Sequence, residues 1–240
     1  MEPIRSTEQI NQHHLTQEQI KTEQANFITR VYGWMSLALV ITGLTAFYVA
    51  STPKLIELIF SNSLVFYGLI IIELLSVGYL ALAIQKMSAA RATTVFIAYS
   101  ILNGLTFAMI FLIFTAGSIA STFFITAGTF GAMSLYGYYT KQDLTSFGNL
   151  AIMALIGLII ASVVNLFWNN QILYWITTYA GVLIFVTLTA YDTQKIKQMN
   201  TIGTEGTETG KKMAIMGALT LYLDFINLFL FLLRIFGRRR

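Results

Sequence analysis

The sequence predicts an all-α polytopic membrane protein with seven hydrophobic helices. Three observations lead there. Of 240 residues, 56% are hydrophobic and only 11% charged, whereas a soluble globular domain carries roughly 25% charged residues. No charge lies between Arg30 and Lys54, between Arg91 and Lys141, or between Asp143 and Asp192. The apolar runs are continuous rather than alternating, which is the pattern of membrane helices and not of a β-barrel.

A helix needs about 20 predominantly apolar residues to cross a bilayer. The first charge-free gap holds one span, residues 31–51. Each of the two longer gaps holds two, split at Ala116-Gly117-Ser118 and at Trp168-Asn169-Asn170-Gln171. That division predicts spans near 93–115, 118–139, 149–167 and 171–191. Two further stretches carry a single acid each, 64–85 with Glu73 and 213–233 with Asp224.

Residues 1–27 are polar, Gln-rich and mixed in charge, and read as a tail that turns helical toward Phe27 and Ile28. They precede a membrane domain spanning 28–240. The tail lacks the basic stretch and cleavage site of a signal peptide, and Glu2 stands where N-myristoylation needs glycine. The segment 198–212, with Gly203, Gly206 and Gly210, reads as a flexible loop.

The formal charge of +4 does not point to nucleic acid, because the basic residues sit at span ends. Their placement follows the bias of Lys and Arg toward cytoplasmic loops. Arg5, Lys21, Arg30, Lys86, Arg91, Lys141, Lys195, Lys197, Lys211 and Lys212 fall on one side, and only Lys54 falls on the other. The amino terminus is therefore expected in the cytoplasm. Arg234, Arg238, Arg239 and Arg240 break the bias if the last segment crosses fully. Either that segment is re-entrant or the rule fails at the end. In both cases the arginines are expected to hold it at an anionic headgroup layer, at about 1 kcal/mol each.

The chain has no cysteine, which removes disulfides, thiolate catalysis, Cys-ligated zinc and iron–sulfur clusters. His13 and His14 are adjacent and would point apart on a helix, so they make a poor metal pair. Three small-residue pairs at four-residue spacing, Gly104 with Ala108, Ala127 with Gly131 and Gly128 with Ala132, predict close helix packing.

An ionisable group inside a span costs about 2.5–3.5 kcal/mol on insertion scales, so each marks a functional candidate. Glu73, Asp192 and Asp224 are those groups, and the absence of an intramembrane lysine rules out a retinal Schiff base. Packed together, Asp192 and Asp224 would share a proton and titrate in two coupled steps. When ionised, they would offer hard oxygens to calcium, weakly and transiently, since a tight calcium site uses about 6–8 oxygens. The alternative is that the acids never meet, with Asp192 at the interface beside Lys195 and Asp224 hydrogen-bonded elsewhere. Glu73 either lines a pore mouth or pairs with a polar group such as Asn103 or Tyr67.

The segments Ala190-Tyr191-Asp192-Thr193-Gln194-Lys195 and Leu221-Tyr222-Leu223-Asp224-Phe225-Ile226-Asn227-Leu228-Phe229 resemble the paired signatures of the transmembrane Bax inhibitor motif family. The resemblance extends through Val31-Tyr32-Gly33-Trp34-Met35, Gly131-Ala132-Met133-Ser134-Leu135-Tyr136-Gly137-Tyr138 and Gly148-Asn149, and is nearest to the bacterial inner-membrane branch. It implies six helices around a central, hydrophobic seventh. It also implies a pH-sensitive calcium leak gated by a proton-sharing pair matching Asp192 and Asp224, with calcium as permeant ion and no cofactor. Some bacterial members latch the span-six aspartate with an arginine at the end of the second helix. Ile84 holds that position here, with Gln85 and Lys86 adjacent. Lys86 is a candidate replacement, though its ammonium lacks the bidentate fork of arginine. Glu73, Lys86 and Asn227 thus complete the set of polar pore or latch residues.

Two other functions compete with the channel. A non-conducting membrane regulator would bind a quality-control protease or a stress or cell-death protein through the polar tail. An intramembrane aspartyl protease would also use two membrane aspartates. Proteases of that kind resemble one another in Gly-x-Gly-Asp and Pro-Ala-Leu segments. Here Leu221-Tyr222-Leu223 precedes Asp224, and the prolines are Pro3 and Pro53, so the chain is not read as an enzyme. The charge bias makes one topological prediction: reporter fusions at residues 116–118 register on the non-cytoplasmic side, and a cytoplasmic signal there overturns the assignment.

Overall fold

The computed structural model describes residues 17–199, 204 and 206–240. His13 and His14, and Gly203 of the expected loop, lie outside the described residues. Among the described residues there are eight α-helices: α1 Gln17–Ala50, α2 Pro53–Phe60, α3 Ser63–Ala83, α4 Ala89–Ile113, α5 Ala116–Tyr139, α6 Thr145–Trp168, α7 Gln171–Met199 and α8 Glu208–Phe236. Seven are long and apolar enough to cross a membrane, and they coincide with the expected spans. The short α2 is additional to them, although its start is legible: Pro53 sits in the first helical turn after Thr52, where its missing N–H costs nothing.

Short polar side chains set several boundaries. Asn62, Ser88, Thr115 and Thr207 accept from the amides of Leu64, Arg91, Ser118 and Gly210 at the starts of α3, α4, α5 and α8. Such caps satisfy amides that have no partner within the helix. Before α6, the Thr145 hydroxyl and amide donate to Asp143 Oδ1 at 2.6 and 2.9 Å. These bonds hold that exposed loop carboxyl below its ordinary pKa. Between α6 and α7, Asn169 takes the left-handed conformation at φ 48 that reverses the chain; asparagine tolerates it through its short polar side chain.

Segment 198–212 is corrected by the structure. Helix α7 runs to Met199 and α8 begins at Glu208, so Gly210 is helical and buried. The cap at Thr207 and a tertiary contact explain this: Glu208 Oε2 accepts the Ala89 amide at 2.9 Å. A carboxylate at the first turn of both α8 and α4 is favoured by both helix dipoles.

Helix α8 is the centre. Of its hydrophobic stretch 72% is buried inside the protein, against 6–39% for the other six spans. Leu219, Leu221, Tyr222, Leu228 and Leu233 are fully enclosed, while Leu64, Leu82 and Phe167 of the outer helices remain 84–86% exposed. Exposed apolar faces of that size suit lipid rather than water.

The glycines of the small-residue pairs separate into one contact and two open positions. A Cβ on Gly104 would come 2.5 Å from Thr45 Cβ and 2.8 Å from the Thr42 carbonyl oxygen, so α1 and α4 touch there through backbone. A Cβ on Gly128 or Gly131 would meet nothing within 4 Å, so among the described residues neither glycine of the α5 pairs is a backbone contact, although Ala127 packs against the core. The packing partner decides the matter, and spacing does not reveal the partner.

The α3–α4 turn, the α5–α6 loop and the start of α8 share one end of the bundle. Lys212 donates to the Gln85 carbonyl there at 3.0 Å. The α4–α5 and α6–α7 turns share the other end with the carboxyl terminus, where Thr115 N donates to Arg238 O and Arg240 N to Ile113 O, both at 2.9 Å. Helix α8 therefore runs from end to end, roughly 43 Å at 1.5 Å per residue. The re-entrant alternative is excluded, and the arginine tail lies opposite the other basic loops.

Replacing Gly104 by alanine is expected to wedge α1 from α4 and destabilise by about 1–3 kcal/mol, the usual range for overpacking. Gly128→Ala should be nearly neutral. Thermal unfolding of the two variants in detergent checks the contrast.

Candidate functional site

Helix α8 carries polar groups on two faces, since residues two apart on a helix point in widely different directions. Asp224 faces α6 and α7, and Tyr222 faces α1 and α4.

Asp224 is buried, at 4% exposure, and Asp192 on α7 is half-buried. The two carboxyls line the same cleft and lie close enough for each to act on the other. The alternative in which they stay apart is therefore not adopted by this fold. Asp224 Oδ2 is sealed from solvent, and no protein N–H or O–H donates to it. Ionised carboxylates are acceptors only, so a hydrogen bond between two of them requires a proton on one. Lys195, on Asp192's own helix, is the cation whose field reaches Asp192.

The pair lies on a cleft of about 560 Å³ between α6, α7 and α8, whose other polar lining includes Thr220 and Asn227. Thr220, Asp224 and Asn227 recur at helical spacing and form one stripe. Asn227 donates Nδ2 to the Leu223 carbonyl at 2.8 Å, which leaves its side-chain oxygen for the cleft. Most of the remaining wall is aliphatic, including Ile152, Leu155 and Leu158 of α6. Two carboxyl groups, an amide oxygen and a hydroxyl are hard oxygen donors. Among the described residues no three acids or histidines gather, so a cation here would keep much of its water.

On the opposite face, Tyr222 is fully buried between Phe96 and Tyr99, both edge-on at about 6 Å. Its hydroxyl meets Thr42 Oγ1 at 2.8 Å, and Thr42 in turn donates to the Ser100 carbonyl at 2.9 Å. Glu73 pairs with a polar group, but with Thr106 rather than with Asn103 or Tyr67. It accepts from Thr106 Oγ1 at 2.9 Å, and Thr106 also contacts the Asn103 carbonyl at 3.0 Å. Thr106 is closer to hand because α3 packs along α4, and no spacing rule in the sequence pairs those helices.

Ile84 is buried in the core and Lys86 is exposed on the 3-10 turn that follows α3. Neither holds Asp192; the cation acting on it is Lys195.

Around Asp192 the neighbouring signature residues fix α7. The Gln194 amide is a two-way clamp: Oε1 accepts from Leu144 N at 2.9 Å and Nε2 donates to the Gln142 carbonyl at 2.7 Å. Lys197 donates to the Tyr138 carbonyl at 2.8 Å and lies over the Tyr138 ring. A Cβ on Gly137 would strike the Ala190 carbonyl, and one on Gly148 would strike the Tyr191 ring. Helices α5 and α6 thus press against α7 on either side of Asp192. Thr42, Thr106 and Gln194 do not stand out in the sequence, because a neutral polar residue in a span carries no signal until its partner is known.

Gln194→Ala removes both bonds to the α5–α6 loop and leaves Leu144 N without its acceptor. About 1–3 kcal/mol of destabilisation is expected, the range for an orphaned buried donor. Hydrogen exchange at residues 142–145 should accelerate more than elsewhere; unchanged protection there would show that Gln194 does not hold the loop.

Residues 24–240 match the family described as "Inhibitor of apoptosis-promoting Bax1". The chain is 54% identical over 215 residues to "Inner membrane protein YbhL" of Escherichia coli strain K12, covering 89% of this chain and 92% of that protein. It is 45% identical over 227 residues to an uncharacterized protein of Borreliella burgdorferi, covering 94% of this chain and 98% of the relative. The uncharacterized protein RP147 of Rickettsia prowazekii is 45% identical over 215 residues, with 89% and 90% covered.

Proposed function

This chain belongs to the Bax inhibitor-1 family of membrane proteins, and from that premise we propose that it is a pH-sensitive calcium-permeable leak of the bacterial inner membrane, with its amino terminus in the cytoplasm. The observation that carries the reading is the contact between Asp192 and the sealed Asp224 beside the α6–α7–α8 cleft. In the closed state the two carboxyls share one proton, and the hydrogen bond, strengthened by low dielectric, ties α8 to α7. Loss of that proton leaves two anions in contact. At an effective dielectric of about 20 their repulsion at ~4 Å is several kcal/mol, and each 1.4 kcal/mol is about tenfold in an equilibrium. Separation of α7 from α8 widens the cleft and exposes oxygen ligands to a hydrated cation.

The sign follows from the proton. Deprotonation opens, so the leak rises with pH. Calcium flux into proteoliposomes of the purified protein, across a pH series, is the test. Asp192→Asn and Asp224→Asn each keep a hydrogen-bonding side chain but cannot supply the second charge, so both should flatten the pH response. Asp224→Asn, deeper in the span, should also lower maximal flux, whereas Asp192→Asn should mainly move the midpoint. Wild-type pH-dependent flux in the double variant removes the pair from the mechanism. No flux at any pH in the wild type removes the leak itself.

A further inference from the structure

The end of the bundle opposite the aspartate-proximal loops holds a second, chemically different cavity. It has a volume of about 490 Å³ and is lined by Asn165, Asn169, Asn170, Gln171, Arg234 and Arg239, together with aromatic rings. No aspartate or glutamate lines it. The fold builds it from three separate pieces. Asn169 reverses the chain after α6, and Asn170 then donates its amide to Asn165 Oδ1 at 2.9 Å and accepts from Leu173 N at 3.0 Å. Those bonds engage the acceptor oxygens of both asparagines and leave their side-chain NH₂ groups as donors. The amides that open α7, at Gln171 and Ile172, precede the first intrahelical bond, Tyr174 N to Asn170 O, and bring the positive end of the helix dipole.

The third piece is the carboxyl-terminal tail. Its backbone bonds to residues 113 and 115 carry Arg239 back over the bundle end. Arg234 is held from the other side, its guanidinium 5.6 Å from the Tyr174 ring centroid and 5.0 Å from that of Phe231. Two guanidinium groups, amide donors and a helix start thus converge without a counter-charge. That is the inverse of the aspartate cleft, and its complement is an anion.

The surroundings choose among anions. Phe167, Trp168 and Ile172, at the same turn, are 84, 77 and 72% exposed, and Trp175 stacks on Tyr179 beside the cavity. Exposed apolar and aromatic residues of this kind sit at the boundary between acyl chains and headgroups. We propose that this cavity binds the phosphate of an anionic phospholipid headgroup, in the membrane half at the α6–α7 turn, with the acyl chains running down the exposed faces of α6 and α7. Arginine suits the task, since its fork bonds two phosphate oxygens at once.

Native mass spectrometry of the full-length protein, titrated with phosphatidylglycerol or phosphatidylcholine in detergent, tests the assignment. Wild type should hold one phosphatidylglycerol about 30-fold more tightly than Arg234→Gln/Arg239→Gln, the scale expected for two basic residues at an anionic surface. Phosphatidylcholine should not distinguish them. Arg239→Gln alone is a safe single variant, because the tail is tacked down by backbone, and it should lose several-fold. Arg234→Lys keeps the charge and ring contact and should retain partial preference. Equal phosphatidylglycerol affinity in wild type and the double variant overturns the site. Displacement of the lipid by millimolar inorganic phosphate makes it a free-anion site and overturns the lipid assignment. Neither result depends on calcium flux.

Discussion

Along its middle, helix α8 packs against α1, α4, α5 and α7, so the polar side chains it buries there are cut off from bulk water and from lipid headgroups. Each of them must find a partner within the protein or remain a costly orphan. Tyr222 and Asp224 answer this on opposite faces. Tyr222 is tied through Thr42 to the Ser100 carbonyl and is wedged between two rings, so the α1–α4 side of the core is neutral and closed. Asp224 has only another acid to meet. In the proposed leak, the contact that satisfies it depends on a proton, so one side of the central helix is held by a bond that solution conditions can remove.

In the proposed leak, the helices around that bond make its loss consequential. Gly137 and Gly148 admit the backbone and ring of α7 so closely that no side chain fits, and Gln194 clamps the loop between α5 and α6 to the turn of α7 after Asp192. Helix α7 is therefore fixed on two sides while its third, toward α8, ends at the cleft. In the proposed leak, movement is channelled to the α7–α8 seam, because the α5 and α6 contacts are steric and do not titrate.

The two ends of the bundle carry different charge logic. At one end Lys195, Lys197 and Lys212 lie close to the acids and to loop carbonyls. At the other, the arginine tail is folded against the α4–α5 turn by backbone bonds and faces a cavity free of acids. A tail placed by its backbone leaves its side chains available, which is what distinguishes this cluster from a set of arginines committed to ion pairs.

The sequence by itself determined the number of spans, their approximate limits, the central place of the last one through its resemblance, and the acids worth attention. Each is written locally: runs of apolar residues long enough for a bilayer, interrupted by charge, and carboxyls whose presence in such runs is expensive. Residues 198–212 misled because glycine content argues for a loop, while Thr207 and the Ala89 amide, distant in sequence, stabilise a helix start instead. Tertiary structure alone decided that Asp192 touches Asp224, that Glu73 is served by Thr106, that only Gly104 among the glycines of the small-residue pairs is a contact, and that the arginine tail closes a cavity with the α6–α7 turn. In every one of these cases the outcome is set by which helix lies opposite. Period and composition give the face a residue occupies on its own helix, but the identity of the neighbour across that face is fixed only when the seven spans pack together.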